Sequence, residues 1–441
     1  MQSRREFLRV LPAAAVAAGV CLHPLRAARA ARVRQDLAAW PGTAEAIATD
    51  EAFWFEVAQA YTVDRSLVNL NNGGTSPSPA VVQAAVKRHL DAMNAAPPSH
   101  ALWRVQQPQR EGVRTQLARA FGCDAEELAL TRNASEGLQI CQFGFDLEAG
   151  DEVLTTDRDY PRMLTTFRQR ERREGIRPSV ISLRGLDEDP DGIVARIGEH
   201  ITPRTRMVLI SHVVFLNGQI LPAARIVAMA RERGVPVIVD GAHSLAHLDF
   251  KLSDLACDYF AASLHKWLCA PHGTGLLYVR RERIGGLWPL MAAEAKQDAD
   301  IRKFEEIGTH PEAAFLAIAE ALAFHLGIGP ERKETRLLYL RDYWAKQLLE
   351  HDRVRLHTSL KPGMACGIAC FGIEGVDSGA LSAWLWNRHR ILTTTVKHPD
   401  FEGVRVTPNV YTRLEELDRF VDCVEHVLKH GLGAEKAGRG G

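Results

Sequence analysis

The stretch that decides the fold is residues 240–278, DGAHSLAHLDFKLSDLACDYFAASLHKWLCAPHGTGLLY. An apolar run at residues 235–239 comes directly before it and predicts a buried strand that ends on Asp240. A second apolar run, residues 259–262, predicts another strand, and Lys266 follows it closely. Because open α/β sheets bind ligands at the carboxyl ends of their strands, we expect the acid and the lysine at one edge of a sheet.

An acid and a lysine at such an edge are the two side chains that pyridoxal phosphate requires. A lysine amine binds this cofactor covalently, and a carboxylate keeps its ring nitrogen protonated so that the ring accepts the electrons of a carbanion. Lys266 and Asp240 fit these roles, and Ser263 and His265 are expected to reach the phosphate. Either charged residue alone favours an ordinary solvated side chain or a loop cap, but together they favour a cofactor site.

The motifs DGAH at 240–243 and S-x-HKW at 263–267 resemble the class V aminotransferase family, a group of fold-type I pyridoxal phosphate enzymes. Among its branches they look like the isopenicillin N epimerase-like proteins. The resemblance runs from about residue 70 to the C-terminal helix. It implies an α/β fold, with a large doubly wound, mostly parallel sheet domain and a small C-terminal α+β domain. It also implies that His243 contacts the ring oxygen of the cofactor.

A turn between a strand and a helix is the candidate phosphate site. The short strand predicted at residues 128–131 runs through Asn133, Ala134 and Ser135 into an amphipathic helix. Free backbone N–H groups and the helix dipole converge at such a turn and favour an anion. The resemblance implies that these three residues hold the cofactor phosphate, whereas a capped helix without a ligand is the ordinary alternative.

The resemblance assigns three further residues. Tyr160, at a strand-to-helix junction, would lie against the face of the cofactor ring. Thr309 would reach the cofactor phosphate of the partner subunit in a two-fold homodimer. Arg405, in the motif R-V-T-P-x-x-Y, would bind the substrate α-carboxylate, for which its two parallel donors are suited. A core tyrosine, a helix cap and a surface arginine are the respective alternatives.

The order of the predicted elements divides the chain. Strands and helices alternate up to about residue 278, which predicts a parallel sheet flanked by helices. We expect a lead-in segment at residues 31–69, a large cofactor-binding domain at 70–310 and a small domain at 311–441. A chain of 441 residues is long enough for this organisation.

Residues 1–30 have the pattern of a twin-arginine export signal. The sequence SRREFLR at 3–9 precedes a short stretch rich in Ala and Val, and a small-x-small cleavage pattern ends at Ala30. The apolar stretch is shorter than the roughly 20 residues of a spanning helix. We therefore predict a periplasmic protein without a membrane segment after cleavage; a basic N-terminus without export function is the alternative.

The composition narrows the classes of partner. Lys plus Arg and Asp plus Glu both number 54, so no net field attracts nucleic acid or anionic lipid. The eight cysteines show no C-x-x-C metal pattern, and an oxidising compartment would permit disulfides that the sequence does not assign. Nothing before residue 70 resembles a helix-turn-helix domain, which disfavours a fused transcription regulator.

The functional prediction is an epimerase that acts at the α-carbon of a small amino acid or peptide. Desulfurases carry a nucleophilic cysteine shortly before the arginine motif, and residues 393–402 contain none. A class V aminotransferase and a carbon–sulfur lyase are the alternatives. A non-catalytic cofactor-binding protein is disfavoured because Lys266, Asp240 and Arg405 are all present. Epimerisation requires a second proton carrier, for which His212 and Tyr411 are the candidates.

Overall fold

The computed structural model of the protein describes residues 37–433. The predicted signal therefore lies outside the described residues. The strands of the described chain, in order, are β1 (Val68–Asn69), β2 (Leu128–Thr131), β3 (Glu152–Thr156), β4 (Arg177–Ile181), β5 (Thr205–Ser211), β6 (Val237–Asp240), β7 (Tyr259–Ser263), β8 (Gly275–Val279), β9 (Val354–Leu356), β10 (Ala369–Ile373), β11 (Ile391–Leu392), β12 (Thr394–Lys397) and β13 (Glu402–Val406).

The helices pack against the sheets. In chain order they are α1 (Ala44–Ala48), α2 (Glu51–Gln59), α3 (Ala80–Ala95), α4 (Pro98–His100), α5 (Gln107–Phe121), α6 (Ala134–Gly144), α7 (Pro161–Glu174), α8 (Pro190–Glu199), α9 (Ala223–Glu232), α10 (Leu252–Leu255), α11 (Arg281–Ile284), α12 (Ala313–Leu316), α13 (Ile318–Ile328), α14 (Pro330–Leu348), α15 (Ser378–His389) and α16 (Leu414–His430). A π-helical turn, Ala101–Gln106, joins α4 to α5, and three short 3₁₀ turns are Ala125–Glu127, Ala295–Gln297 and Ile301–Glu305.

A seven-stranded sheet with the spatial order β2-β8-β7-β6-β5-β3-β4 forms the larger domain. Strands β7, β6, β5, β3 and β4 are parallel, and only β8 runs against its two neighbours. The predicted mostly parallel sheet is confirmed. The strand order reverses between β3 and β5, and the crevice at such a reversal is where doubly wound sheets bind ligands.

A four-stranded antiparallel sheet, in the order β12-β13-β10-β9, forms the smaller domain. Its core contains three aromatic side chains, Trp344, Phe371 and Phe420, whose ring centroids lie 5.6–5.9 Å apart. These rings come from α14, β10 and α16, so they hold the helices onto the sheet. The predicted small α+β domain is confirmed.

The segment before residue 70 packs against both domains. Helices α1 and α2 lie on α14, where Arg336 pairs with Glu51 and stacks on the indole of Trp54. Strand β1 pairs in parallel with β11, and Leu70 lies in the core of the smaller domain. The lead-in, to which the sequence assigns no role, thereby brings the turn at residues 71–74 to the junction of the domains.

Within residues 37–433 no single helix is long and apolar enough to cross a membrane. One pair, Ala313–Ile328 followed by Pro330–Leu348, meets the length and composition together but is bent by 75° at the break. The seven cysteines of the described chain are all free thiols, and all but Cys123 are buried.

Candidate active site

A cavity of about 390 Å³ lies at the carboxyl ends of the parallel strands, between the two domains. Of the predicted cofactor- and substrate-binding residues, all but Thr309 line it: Asn133, Ala134, Ser135, Tyr160, Asp240, His243, Ser263, His265, Lys266 and Arg405. The fold thus brings together residues from five segments of the chain, 133–135, 160, 240–243, 263–266 and 405.

Asp240 is the last residue of β6, and only 6% of its surface is exposed. The backbone N–H of Ala242 donates to its Oδ1 at 2.9 Å, which leaves Oδ2 for a partner in the cavity. Burial raises the pKa of the Asp240 carboxyl to about 6, against the opposing effects of the Ala242 hydrogen bond and the Lys266 charge. A cationic ring nitrogen would stabilise the carboxylate and remove much of this cost.

Lys266 follows β7 in a buried turn. Burial lowers the pKa of its amine from its ordinary value to about 8, so the uncharged form is far more accessible near neutral pH than for an exposed lysine. Its Nζ lies 3.2 Å from Nε2 of His243. The indole Nε1 of Trp267 donates to Nδ1 of the same histidine at 3.3 Å.

The N-terminus of α6 is open toward the cavity. Asn133 caps this helix, because its Oδ1 accepts a hydrogen bond from the N–H of Glu136 at 2.9 Å. The N–H of Ala134 donates to the hydroxyl of Ser263 at 3.0 Å, so the Ser263 proton is available to an anion. Together with Ser135, these groups form a turn in which N–H and O–H donors converge, as a phosphate requires.

Arg405, on β13, is a buried guanidinium with neutral partners only. Its Nη1 donates to the carbonyl of Phe215 at 2.8 Å and its Nη2 to Oδ1 of Asn71 at 3.1 Å. Its Nε has no hydrogen-bond partner, and no carboxylate in residues 37–433 forms an ion pair with it. Burial lowers its pKa to about 10. An unpaired buried charge is costly, so this position favours an anionic ligand.

Comparison with known proteins identifies the family to which the chain belongs. The sequence profile of the family described as aminotransferase class-V matches residues 68–416. The chain belongs to the class V aminotransferase family. This class V chain is 32% identical to an isopenicillin N epimerase of Streptomyces clavuligerus over 394 residues, 85% of this chain and 98% of that protein. It is 30% identical to an isopenicillin N epimerase of Amycolatopsis lactamdurans, with 85% and 99% of the two chains covered.

A solved structure of a cystine C–S lyase, in complex with its product cysteine persulfide, is also similar to the class V chain. The two are 25% identical with a TM-score of 0.74, and the match covers 81% of this chain and 97% of that one. The residues of the cavity fit the cofactor of the family, because they supply a buried acid, a lysine amine and an anion-binding turn. Pyridoxal phosphate is therefore the cofactor of this class V enzyme.

Tyr160 lies on the wall of the cavity, directly before α7. Its side chain is 40% exposed, and its ring meets the edge of Phe215 at a centroid distance of 5.4 Å. The aromatic face is thus available to a flat ligand. Phe215 holds the tyrosine ring and, through its carbonyl, also accepts from Arg405.

Thr309 lies elsewhere in this chain of the class V enzyme. It is exposed and lines a separate surface cavity of about 440 Å³ together with Trp103, Arg110 and Glu305. Within one subunit it is therefore not part of the site at Lys266. Its predicted contact with a partner subunit's cofactor stays a prediction.

The two candidate proton carriers from the sequence do not line the active-site cavity. His212 is buried against Phe250, and burial lowers its pKa to about 4, so its ring is neutral at physiological pH. Tyr411 donates its hydroxyl hydrogen to Oδ1 of Asn72 at 2.6 Å, and burial raises its pKa. Both residues are buried outside the active-site cavity.

Several residues that the sequence prediction did not include also shape the site. Asp159 is buried between β3 and β5, where it accepts hydrogen bonds from Thr155, Thr156 and Ser211. These contacts hold the two strands together where the strand order reverses. Asn71 binds Arg405, and Ser211 and Thr394 line the cavity. Two features of the sequence could have identified them: Asp159 directly precedes Tyr160, and Ser211 is the polar residue at the end of β5.

Proposed function

We propose that this class V enzyme is an epimerase that inverts the α-carbon of an amino acid or a small peptide. The observation that carries the proposal is a cavity that holds an amine and an unpaired guanidinium but, among residues 37–433, no cysteine. Two relatives that are 30–32% identical over nearly their whole length are named isopenicillin N epimerases, which supports it.

The thiol on the strand next to Arg405 does not supply a nucleophile. Cys370 on β10 is the register partner of Arg405 on β13. It is fully buried, and burial raises the pKa of its thiol to about 12. Because a thiolate is the reactive form, we infer that a reaction of the desulfurase type through this cysteine is disfavoured.

Three residues of the cavity have distinct roles in the proposed reaction. When bound, pyridoxal phosphate stabilises negative charge at the substrate α-carbon by accepting electrons into its ring. Arg405 binds the α-carboxylate and orients the α-carbon. The Lys266 Nζ takes the α-proton from one face, which the uncharged amine can do. Asp240 would hold the proton of the cofactor's ring nitrogen.

Inversion needs a proton delivered to the opposite face of the α-carbon. We assign this role to the hydroxyl of Tyr160, since its side chain lines the cavity and is open to it. Tyr160→Phe should then lose epimerisation but still exchange the α-hydrogen with solvent through Lys266. Loss of both activities to the same extent would assign the ring to binding only.

The test of the function is a reaction in deuterated water. The purified holoenzyme would be incubated with a panel of L-amino acids and short peptides, and the products analysed by chiral chromatography and mass spectrometry. We expect a product of inverted configuration with deuterium on its α-carbon and no consumption of a keto acid. A requirement for a keto-acid acceptor, with accumulation of pyridoxamine phosphate, would instead identify an aminotransferase.

A carbon–sulfur lyase is the second candidate. It is supported by the structural similarity to a cystine C–S lyase at 25% identity. Cystine in the same panel distinguishes the two activities, because a lyase releases pyruvate and ammonia from it whereas an epimerase returns cystine of altered configuration.

We further propose that the enzyme is a homodimer exported to the periplasm. The dimer is supported by Thr309, which is exposed and lies outside the site of its own chain. Export is supported by the SRREFLR sequence at residues 3–9. The twin-arginine route carries folded proteins, which suits an enzyme that binds its cofactor before export.

A further inference from the structure

The histidine beside the cofactor lysine is held between two partners of different kinds. Its Nδ1 faces the indole Nε1 of Trp267 at 3.3 Å, and its Nε2 faces the amine of Lys266 at 3.2 Å. An indole N–H is a donor and never an acceptor. The hydrogen bond between Trp267 and His243 therefore has a single direction, toward the histidine.

This direction determines the tautomer of His243. Burial holds the pKa of the His243 imidazole well below its ordinary value, so the ring is neutral and carries one proton. Because Nδ1 accepts from Trp267, that proton is on Nε2, the atom that faces Lys266. An ammonium group has donors only, so it would meet the Nε2–H as a second donor. An uncharged amine offers a lone pair and accepts from it.

We propose that Trp267 is a positioning residue: by fixing the tautomer of His243 it makes Lys266 face a hydrogen-bond donor, which favours the uncharged form of the lysine amine. The uncharged amine has the lone pair that the lysine needs to bond to the cofactor and to take a proton. The inference does not depend on which reaction the enzyme catalyses, since every candidate activity uses Lys266 in this state.

The structure holds Trp267 firmly enough for this role. The indole is fully buried, and the ring of His247 packs on it with a centroid distance of 3.8 Å. His247 in turn accepts from the N–H of Gly367 at 3.0 Å. The buried amine of Lys333, on α14, donates to the backbone carbonyl of Trp267. Trp267 is thus held by His247 on its ring and by Lys333 at its backbone, and Gly367 in turn holds His247.

Other charged groups act on the same pair. Asp240 favours the ammonium form of Lys266, whereas Arg405 and burial disfavour it. His243 is faced by Lys266, Arg405 and His247. His265 directly precedes Lys266 in the sequence, and its Nδ1 lies 3.1 Å from the carbonyl of Thr274. Trp267→Phe removes none of these charged groups, although it alters the packing of His247 on the ring at position 267.

The test compares Trp267→Phe with Trp344→Phe in the full chain after removal of the cofactor. Trp344 is a matched control, because it is equally buried but its Nε1 has no hydrogen-bond partner. The pH dependence of acetylation of Lys266 by acetic anhydride, followed by peptide mass spectrometry, gives the pKa of the amine. Circular dichroism confirms that each variant is folded.

We expect the pKa of Lys266 to rise by about one unit in Trp267→Phe, because Nε2 can then accept from an ammonium. The pKa should be unchanged in Trp344→Phe. An unchanged pKa in folded Trp267→Phe, or an equal rise in both variants, would overturn the proposal.

A measurement on the unsubstituted protein decides the matter even if Trp267→Phe does not fold. ¹⁵N NMR of the histidine-labelled full chain distinguishes the two tautomers of His243 directly, with assignment from His243→Gln. A proton on Nε2 is expected at neutral pH, and a proton on Nδ1 would overturn the proposal.

Discussion

At the scale of single residues, the charges of the active site are buried before any ligand binds. Asp240 and Arg405 are each only 6% exposed, and their hydrogen-bond partners are neutral: Asp240 accepts from the backbone N–H of Ala242, and Arg405 donates to the carbonyl of Phe215 and to Asn71. Such residues cost stability in the empty protein, and their ligands recover that cost on binding. We therefore expect that substitutions which remove these charges stabilise the cofactor-free protein but reduce the activity of the holoenzyme.

Asp240→Asn tests this opposition through its pH dependence. The pKa of Asp240 is raised to about 6 in the folded protein. Between the unfolded pKa and this value the folded state binds more protons, so the contribution of Asp240 to stability falls as the pH rises. In urea unfolding of the cofactor-free protein, Asp240→Asn should be more stable by about 3 kcal/mol at pH 7.5 and by about half as much at pH 5.

The control for this variant is the exposed Asp422→Asn, which should be neutral at both pH values. The holoenzyme of Asp240→Asn should lose most of its activity, because the ring nitrogen then lacks an anionic partner. A constant difference in stability between pH 5 and pH 7.5 would show that Asp240 does not titrate in this window.

Arg405→Lys tests the carboxylate site. A lysine keeps the charge but loses the two parallel donors, and its shorter reach to Asn71 and Phe215 leaves those acceptors unpaired. We expect kcat/KM to fall by about 10²-fold, mainly through KM, with the cofactor spectrum unchanged. Arg355→Lys, an exposed arginine on β9 of the same sheet, is the control. Equal kinetics of the two variants would exclude Arg405 from substrate binding.

At the scale of elements, the site depends on how closely α6 lies on the large sheet. The helix approaches β7 and β8 at Gly137, where an added Cβ would be 2.8 Å from Cβ of Ala261 and 3.3 Å from Cβ of Leu277. A side chain at this position would push the helix away from the strands. Since the N-terminus of α6 is the predicted phosphate site, helix packing and cofactor binding are coupled.

Gly137→Ala should therefore reduce the free energy of unfolding by about 1–2 kcal/mol, as overpacking exceeds the gain in helix propensity. It should also weaken cofactor binding, measured by titration of the cofactor-free protein. Gly112→Ala is the matched control, because Gly112 is an exposed position inside α5 with nothing within 4 Å of an added Cβ. That control should gain about 0.5–1 kcal/mol. Stabilisation of both variants would contradict the close packing of α6.

At the scale of the whole molecule, the open question is whether one chain completes a site of another. Subunit mixing answers it, because Lys266→Ala and Thr309→Ala inactivate different parts of the site. If Thr309 acts across a two-fold dimer, a mixed dimer has one intact site, and an equal mixture should recover about a quarter of the cofactor binding and activity of the unsubstituted dimer. No recovery in a mixture shown to exchange subunits would mean that Thr309 does not act across the dimer, and full activity of Thr309→Ala by itself would place Thr309 outside the site.

Export is tested on the precursor. Replacing Arg4 and Arg5 by lysine should retain the precursor in the cytoplasm with its cofactor bound, as measured by cell fractionation and absorbance. Arg9→Lys lies outside the arginine pair and should be exported normally. Unchanged export of the double variant would mean that the signal is of another type or is not a signal.

The sequence by itself determined the class of fold and the position of Asp240 and Lys266. Both residues follow short apolar strands, and this local pattern is sufficient to place them at one sheet edge. Local pattern does not give every element boundary: residues 313–328 form two helices, α12 and α13, separated at Ala317.

The tertiary structure alone decided the electrostatic state of the site. The contact of Arg405 with Asn71, the hydrogen bond from Trp267 to His243, and the exclusion of His212 and Tyr411 from the cavity all depend on how distant segments pack. Burial and hydrogen-bond partners determine the pKa and the tautomer of each group, and neither is encoded by sequence spacing. Residue types thus define which chemistry is available, and packing defines the protonation state in which it operates.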